Sequence, residues 1–426
     1  MCRGCCDQDN RGIFLAFVGW KHEIRHNPLS GCREFTMKIE SVDFFYLKMP
    51  VIRDVGDGSQ DALVVRVRSG DLTGWGECEA SPLVSIANAV CPPSHSACRN
   101  IVEQVLGVEI NTPEDIAVLD QRVRARGMDI AQTVHTFSGV EIAIWDLLGK
   151  KREEPVFQLL GYDTAYPKTP YASLLFADTP DKTYQAARKV QSEGFRAVKF
   201  GWGGYGRGAV ENDRDQVHAA REGIGLDGTL LVDAGTVWGE DVEAARQRLA
   251  ALEEVHVTWL EEPFIGNALH AYRELKGHCK TIKLAAGEGS QDVLAARQLI
   301  DAGGVEFIQI DTGRVGGIAP AKIIADYALI KNVTFVNHTF TTHLALVASI
   351  TPFVGVRSAE ICEYPFQATE LAKSLVIDPV VPVNGQIVLP EGPGLGVEPD
   401  LGTISEFLVE VEIKLDGKVL YRTPLV

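Results

Sequence analysis

The chain has 426 residues, which exceeds one ordinary domain and suits a barrel with a smaller second domain. Apolar residues make up 46% of it and charged residues 23%, as in a globular protein, and no apolar run reaches the roughly 18 residues that span a membrane. The formal net charge of −16 argues against nucleic acid and anionic membrane surfaces as partners.

The first 36 residues differ in character from the rest. The apolar stretch "IFLAFVGW" at 13–20 is typical of an export signal, and "LSGC" at 29–32 of a lipoprotein cleavage site. The charged segment "KHEIRHNP" separates the two, whereas a processed signal places its apolar core beside the cleavage site. We therefore predict a cytoplasmic protein in which residues 1–36 are a misassigned start or a disordered extension.

The cysteines indicate a reducing compartment. There are nine, at positions 2, 5, 6, 32, 78, 91, 98, 279 and 362, an odd number without repeated spacing in the body of the chain. This pattern predicts free thiols. The run "CRGCC" at 2–6 has no second Cys or His pair at a suitable distance, so chance explains it better than a metal site.

Residues 37–160 predict an α+β domain. The stretches "IESVDFFYLKM" and "DALVVRVRSGDLTGWGECEA" alternate like antiparallel strands, with Leu63, Val65 and Val67 on one face. Helical patterns follow in "TPEDIAVLDQRVRARG" and "SGVEIAIWDLLGK", and Gly149 is the predicted end of the second helix.

Residues 165–376 predict a (β/α)8 TIM-like barrel of the α/β class. Eight short apolar strands begin near residues 170, 197, 230, 257, 282, 307, 334 and 359, with helical patterns between them. Eight such units in about 210 residues match that barrel. Residues 377–426 return to strand alternation in "GQIVLPEGPGLG" and "FLVEVEIKLDG", and we expect them to pack against the first domain.

Carboxylates end three consecutive barrel strands. Asp233 ends the third strand, Glu261 the fourth and Glu288 the fifth, one strand–helix unit apart. A single strand-end acid is usually a helix cap, but three in phase at one barrel mouth would repel one another unless a cation lay between them. Oxygen ligands suit a hard ion, so the pattern predicts Mg²⁺.

The remaining strand ends carry acid–base residues. Asp311 ends the sixth strand and His338 the seventh, so Asp311 is placed to orient the imidazole as a general base. A capping Asp and a hydrogen-bonded core His are the alternative. Glu363, on the eighth strand, is equally compatible with a substrate contact and a capping role. Lys199, on the second strand, has apolar neighbours that argue against a surface position, and His343 is the second-choice base.

The order Lys, Asp, Glu, Glu, Asp–His, Glu along these strands resembles the enolase superfamily, specifically its mandelate racemase subgroup. "EIAIWDLLGK", "WLEEP" and "GE" are similar to segments of that family, over roughly residues 37–426. The resemblance implies that the first domain caps the barrel and selects the substrate. It also implies these roles: Mg²⁺ bound by Asp233, Glu261 and Glu288, the catalytic dyad Asp311–His338, and enolate stabilisation by Glu363.

One departure from the family pattern bears on the reaction. The family usually has Lys-x-Lys at the end of the second strand, and this chain has Lys199, Phe200 and Gly201. The lysine that polarises the substrate carboxylate is present, but the base on the opposite substrate face is missing. Two-base racemisation is therefore disfavoured, and dehydration of a sugar acid by one histidine is expected. A cycloisomerase or an epimerase of the same superfamily is the alternative.

Two rivals belong to other classes. "GWGGYG" at 201–206 fits the dinucleotide-binding pattern G-x-G-x-x-G, but Lys199 is out of place in such a first strand, and the three carboxylates stay unexplained. A non-catalytic barrel used as a binding module would not need the Asp311–His338 pair.

The sequence does not give the sugar acid. We expect specificity to lie in "VIRDVGDGSQ" and "SIANAVCPPSHSAC" of the capping domain, and in Trp202, Tyr171, Tyr205 and His343 as candidate substrate contacts. The three aromatic residues are equally compatible with packing. We expect a small-molecule sugar acid as the partner, and a homo-oligomer.

Overall fold

The computed structural model describes residues 37–79 and 81–426. The predictions for residues 1–36, including those for Cys2, Cys5, Cys6 and Cys32, lie outside these ranges. The five described cysteines are free thiols, as predicted. Within the described ranges, no helix is both long enough and apolar enough to cross a membrane.

The first domain is α+β, as predicted, with a three-stranded antiparallel sheet in the order β1-β2-β3. In β2 the alternate residues Leu63, Val65 and Val67 are fully buried, which is the face that the sequence alternation predicts. The elements are β1 (Ser41–Lys48), β2 (Asp61–Ser69), β3 (Leu72–Cys78), α1 (Pro82–Val90), α2 (Ile101–Val105), α3 (Pro113–Arg126), α4 (Thr133–Arg152) and α5 (Val156–Leu159).

Helix α4 packs directly on β3 because two glycines of that strand admit its backbone. A Cβ at Gly74 or at Gly76 would collide with a carbonyl oxygen of α4, at Ala143 and Gly139 respectively. The prediction that this helix ends at Gly149 is wrong, since α4 continues to Arg152. A Cβ at Gly149 would lie 2.7 Å from the α-carbon of Gly394, so this glycine serves close packing against the C-terminal segment.

The second part of the chain is the predicted eight-stranded parallel barrel. Its strands are β4 (Thr169–Leu175), β5 (Ala197–Gly201), β6 (Thr229–Asp233), β7 (Trp259–Glu261), β8 (Lys283–Ala286), β9 (Phe307–Asp311), β10 (Thr334–His338) and β11 (Ile361–Pro365). The helices between them are α6 (Pro180–Ser192), α7 (Val210–Ile224), α8 (Val242–Glu254), α9 (Leu269–Lys276), α10 (Val293–Gln298), α11 (Ile318–Ile330) and α12 (His343–Ile350).

Hydrogen-bonded neighbours run in the order β10-β9-β8-β7-β6-β5-β4-β11. At the remaining seam, between β10 and β11, a side chain joins the strands. The Asn337 amide donates to the backbone oxygen of Glu363 at 3.4 Å and accepts from its backbone nitrogen at 2.9 Å. The barrel is thereby nearly closed, and its strand ends converge on one mouth.

The C-terminal segment contains α13 (Glu370–Ser374), α14 (Leu401–Phe407), β12 (Glu412–Leu415) and β13 (Lys418–Arg422). It packs against the first domain, as expected: Val409 donates to the backbone oxygen of Tyr46 at 2.8 Å, and the Tyr421 hydroxyl to that of Phe44 at 2.5 Å. The strand expected in "GQIVLPEGPGLG" is wrong, because this stretch makes only isolated bridges, such as Ile387 with Lys168. Its prolines and glycines interrupt a continuous ladder.

Candidate active site

Strand alternation builds the site above a packed barrel floor. Six inward residues, one from each of six strands, form a buried apolar cluster of their own: Tyr171, Ala197, Leu231, Trp259, Ala285 and Val336. Because side chains two residues apart share a face, the next inward positions toward the mouth can be read from the sequence, and five of the six are polar, the sixth being Gly287. The polar ones are Ser173, Lys199, Asp233, Glu261 and His338. Asp311 ends β9, whereas Glu363, which was predicted to end its strand, lies in the middle of β11.

Lys199 lies among three of the predicted site carboxylates. Its Nζ is 2.5 Å from Glu261 Oε1, 2.9 Å from Glu363 Oε1 and 3.8 Å from Asp233 Oδ2. Burial opposes the charge on this amine, but Glu261 and Glu363 outweigh it and hold the pKa of Lys199 well above its ordinary value. The indole of Trp259 donates to the other Glu261 oxygen at 3.0 Å, so the barrel floor orients this carboxylate.

The structure brings the predicted dyad together. His338 Nδ1 lies 2.7 Å from Asp311 Oδ2, and the backbone nitrogen of Gly313 holds the other Asp311 oxygen at 2.8 Å. His338 Nε2 faces Glu288, 3.0 Å from its Oε2. Burial would lower the pKa of this imidazole, but Glu288, Glu363 and Asp311 raise it well above the ordinary histidine value.

The strand-end carboxylates differ in their electrostatics: burial would raise the pKa of Glu288, but His338 and then Arg314 hold it below its ordinary value. Burial, and then repulsion by Glu261, raise the pKa of Asp233 well above its ordinary value. A fourth acid, Glu262, is also buried, and its pKa is raised by burial and then by repulsion from Glu288. Within residues 37–79 and 81–426, no group of three or more His, Cys, Asp and Glu side chains is arranged around a metal position. Glu261 and Glu288 instead form ion pairs with Lys199 and His338.

Gly201 lies against Asp233 at the end of β5. A Cβ on Gly201 would come within 2.7 Å of Asp233 Cβ and 2.9 Å of its Oδ2. Real Cβ atoms do not approach so closely, so in this conformation position 201 has no room for any side chain. The packing around Asp233 therefore leaves no room for a second lysine at position 201.

Two charged residues of the site escaped the sequence analysis. Glu79 follows β3 of the capping domain, and its Oε2 accepts from Arg314 Nε at 2.8 Å. Arg314 follows β9, and its Nη1 lies 3.6 Å from Glu288 Oε1. Arg314 stands three residues after Asp311, so its position at the barrel mouth could have been predicted from the sequence. For Glu79 the sequence holds no signal that the end of β3 reaches the barrel.

A cavity of about 270 Å³ lies over these residues. Trp202, one of the predicted substrate contacts, lines it and is 38% exposed. Its ring lies against two glycines: a Cβ would be 3.1 Å from the ring at Gly56 of the capping domain and 2.8 Å from it at Gly235 of the barrel. The lining residues are Val55, Gly56, Asp57, Gly58, Glu79, Ser173, Leu174, Leu175, Lys199, Gly201, Trp202, Asp233, Glu288, Arg314, His338 and Phe340.

The other predicted substrate contacts lie away from this cavity. Tyr205 is buried and stacks on Phe176 with ring centroids 4.8 Å apart, so packing is its role. Tyr171 is fully buried in the barrel floor, with Lys199 5.6 Å from its ring centre. His343 begins α12 and packs edge-on against Tyr364, and burial lowers its pKa to about 4. Periodicity cannot distinguish such packing positions from nearby positions that line the cavity.

Comparison with known proteins identifies the family. Residues 47–161 match the model of the mandelate racemase / muconate lactonizing enzyme N-terminal domain, and residues 182–403 match that of the enolase C-terminal domain-like family. The chain belongs to the mandelate racemase/muconate lactonizing enzyme family of the enolase superfamily. This membership confirms the resemblance seen in the sequence.

Solved and curated relatives agree with that assignment. The crystal structure of a predicted mandelate racemase from Rhodobacter sphaeroides is 50% identical, with a TM-score of 0.88 over 91% of this chain and 100% of that one. A D-galactarolactone cycloisomerase from Agrobacterium fabrum is 30% identical over 81% of this chain and 90% of its own length. A D-xylonate dehydratase from Haloferax volcanii is 25% identical over 70% of this chain and 75% of its own.

Members of this family generally use Mg²⁺. The donor chemistry of the site fits such an ion, because Asp233, Glu261 and Glu288 offer carboxylate oxygens in mutual electrostatic contact, the first two from buried side chains. Burial and, after it, repulsion between carboxylates raise the pKa values of Asp233 and Glu261, and a divalent cation among them would relieve the repulsion.

Proposed function

We propose that the protein is an Mg²⁺-dependent dehydratase of sugar acids. It would remove the proton α to the carboxylate and eliminate the β-hydroxyl, giving a 2-keto-3-deoxy acid. The observation that supports this most directly is one oriented base, His338, facing a cavity in which Gly201 replaces the second base of the family pattern.

His338 would carry both proton transfers. Since Nδ1 is hydrogen-bonded to Asp311, Nε2 is the nitrogen that faces the other side of the active site. It is therefore Nε2 that would take the α-proton. It would then return that proton to the β-oxygen as the C–O bond breaks, so that water leaves and the enol becomes the 2-keto acid. A single base on one substrate face suffices for this sequence, whereas racemisation needs a base on each face.

The charged groups around Lys199 would hold the reacting carboxylate. The Lys199 ammonium would bind a carboxylate oxygen, and Glu363 would hydrogen-bond the oxygen on which enolate charge develops. Asp233, Glu261 and Glu288 would hold Mg²⁺, which when bound polarises the substrate carboxylate as a Lewis acid. We further propose that the protein acts in the cytoplasm on a small-molecule sugar acid and forms a homo-oligomer.

A screen of sugar acids tests this proposal. Each acid is incubated with the protein and Mg²⁺, and 2-keto-3-deoxy products are measured. We expect turnover of at least one acid, its loss on chelation and its recovery when Mg²⁺ is added. Full turnover in the chelated sample would refute the metal role, and rapid interconversion of α-hydroxy-acid enantiomers would refute the assignment as a dehydratase.

A cycloisomerase is the second candidate, favoured by the 30% identity to D-galactarolactone cycloisomerase over most of both chains. Opening or closing a ring leaves the mass of the substrate unchanged, whereas dehydration removes one water. Mass spectrometry of the products therefore separates the two reactions.

A further inference from the structure

The charges around the cavity indicate how many carboxylates a substrate carries. Among the described residues that line it, two side chains are permanent cations, Lys199 and Arg314, and His338 is a third group that can carry positive charge. Four lining residues are carboxylates: Asp57, Glu79, Asp233 and Glu288. Asp233 and Glu288 are predicted metal ligands and would be neutralised by a bound divalent cation. Near the capping domain, which we call the capping end of the cavity, the balance of positive and negative charge therefore depends on Arg314, Glu79 and Asp57.

Arg314 already interacts with two carboxylates of the protein. Its Nε donates to Glu79 at 2.8 Å, and its Nη1 lies 3.6 Å from Glu288. The pair with Glu79 is well shielded, with side-chain exposures of 24% for Arg314 and 6% for Glu79. A substrate carboxylate would have to displace Glu79 to use this guanidinium, leaving a buried carboxylate without its partner.

Asp57 adds a second carboxylate to the part of the cavity lining that the capping domain supplies. Its Oδ1 accepts from the backbone nitrogen of Ser59 at 2.9 Å and from the Ser59 hydroxyl at 2.6 Å, so it is held by neutral donors. Within residues 37–79 and 81–426, no cation forms an ion pair with Asp57. The capping end thus has one more carboxylate than it has cations.

We propose that the substrate is a monocarboxylate polyhydroxy acid, and that Glu79 and Asp57 exclude an acid with a second carboxylate. This inference rests on the proposed function, since it concerns the same site. The single carboxylate would bind beside Lys199, and the hydroxyl chain would extend toward the capping domain. Hydroxyl groups can donate to the Asp57 and Glu79 oxygens, whereas a second carboxylate there would be repelled.

Exchange of the α-proton with deuterated solvent measures this preference without requiring product formation. The protein with Mg²⁺ is offered aldonic acids and aldaric acids of matched carbon number and stereochemistry, and kcat/KM for exchange is measured for each. We expect the best monoacid to exceed its matched diacid by at least about tenfold, because like charges in a desolvated cleft repel strongly.

Variants then test the two carboxylates. Glu79→Gln would remove the carboxylate that now pairs with Arg314 Nε, so that the guanidinium can bind a second substrate carboxylate, and we expect the ratio of diacid to monoacid kcat/KM to rise about tenfold. Asp57→Asn should raise the same ratio by a smaller factor. It tests the charge argument independently if Glu79→Gln does not fold. Asp54→Asn removes an equal charge from the same loop at a position outside the cavity lining, and we expect an unchanged ratio.

The outcomes separate this inference from the proposed function. If wild type exchanges a diacid as fast as its matched monoacid, or if folded Asp57→Asn and Glu79→Gln leave the ratio unchanged, the charge argument is overturned while α-proton chemistry stands. If no acid of either class exchanges its α-proton, the proposed function fails first.

Discussion

At the scale of single residues, the site depends on groups that the surrounding backbone holds at fixed positions. Gly313 fixes one Asp311 oxygen and His338 meets the other, so the imidazole has one orientation. Gly235 donates to Asp233 Oδ1 at 2.7 Å, which fixes that carboxylate in the same way. In both cases the loop directly after a barrel strand supplies the donor.

The first prediction concerns the base. We expect His338→Asn to reduce α-proton exchange with deuterated solvent by about 10²- to 10⁴-fold, the usual contribution of general-base catalysis, while the fold and Mg²⁺ affinity are kept. Asp311→Asn should impair exchange less, because the imidazole remains but loses its orientation. His343→Asn is the control, since that ring lies outside the cavity. Wild-type exchange in His338→Asn would place the base elsewhere, with Lys199 the next candidate.

The second prediction concerns Gly201. A methyl group there would press on Asp233, so we expect Gly201→Ala to weaken Mg²⁺ binding, measured calorimetrically, and to lower stability by about 1–3 kcal/mol as overpacking does. For the same reason, we expect that Gly201→Lys does not gain racemase activity. Gly204→Ala, in the loop that follows β5, is the matched control, because a Cβ there meets nothing within 4 Å. Equal Mg²⁺ affinities in Gly201→Ala and Gly204→Ala would refute this packing argument.

The topology of the barrel determines which site residues could be predicted from the sequence. Asp233, Glu261, Glu288, Asp311 and His338 were found because parallel barrel strands deliver their ends to one mouth, and counting one unit per strand places them there. Glu79 could not be found in this way, since its approach to Arg314 depends on how the capping domain docks. That docking depends on complementary surfaces, which periodicity does not encode.

At the scale of elements, the loop after β5 meets the capping loop before β2 through one aromatic ring. Trp202 has a φ of +54°, a left-handed conformation that is costly for a bulky side chain. Its backbone nitrogen donates to the backbone oxygen of Asp233 at 3.3 Å, and its ring lies against Gly56 and Gly235. The strain is thus held by contacts with both domains at the edge of the cavity.

The third prediction separates that contact from backbone strain. Gly235 and Gly239 have similar φ values, +55° and +61°, but a Cβ at Gly235 would be 2.8 Å from the Trp202 ring, and one at Gly239 meets nothing within 4 Å. Both alanine substitutions should cost about 1–2 kcal/mol of stability for the left-handed backbone. Only Gly235→Ala should also weaken substrate binding, measured as KM.

A rescue variant completes the test of this contact. Trp202→Ala combined with Gly235→Ala should recover part of the stability lost in Gly235→Ala, because the clash is removed. Additive losses in chemical denaturation of the double variant would show that the ring and Gly235 do not interact.

Elements were predictable where the pattern was local and strong. The eight barrel strands begin close to the predicted positions because short apolar runs alternate with helical stretches of regular length. The errors occur where tertiary packing overrides local signals: Gly149 lies inside a helix and packs closely against Gly394, and the segment around Ile387 forms isolated bridges in place of a continuous ladder.

At the scale of the whole molecule, α4 joins three parts of the fold through two buried acids. Asp146 accepts from the backbone nitrogens of Trp75 in β3 and Leu395 in the C-terminal segment, each at 2.8 Å. Glu141 accepts from the backbone nitrogens of Ile318 at 2.6 Å and Ala319 at 2.9 Å. The capping domain therefore caps the N-terminus of a barrel helix, α11.

The last prediction tests whether this long-range cap supports the active site. Glu141 also accepts from the Trp145 indole at 2.7 Å, so Glu141→Ala would leave two buried N–H donors unpaired, those of Trp145 and Ile318, each costing about 1–3 kcal/mol, together with the half-buried one of Ala319. The segment between Asp311 and α11 carries Arg314, so we also expect a lower kcat/KM under conditions in which the variant is fully folded. Asp241→Ala removes a local cap of α8, whose loss should cost about 1 kcal/mol without changing kcat/KM. Urea unfolding and steady-state kinetics of both variants give the comparison. A Glu141→Ala protein that is destabilised yet retains wild-type kcat/KM would show that the cap stabilises the fold without positioning the catalytic loop.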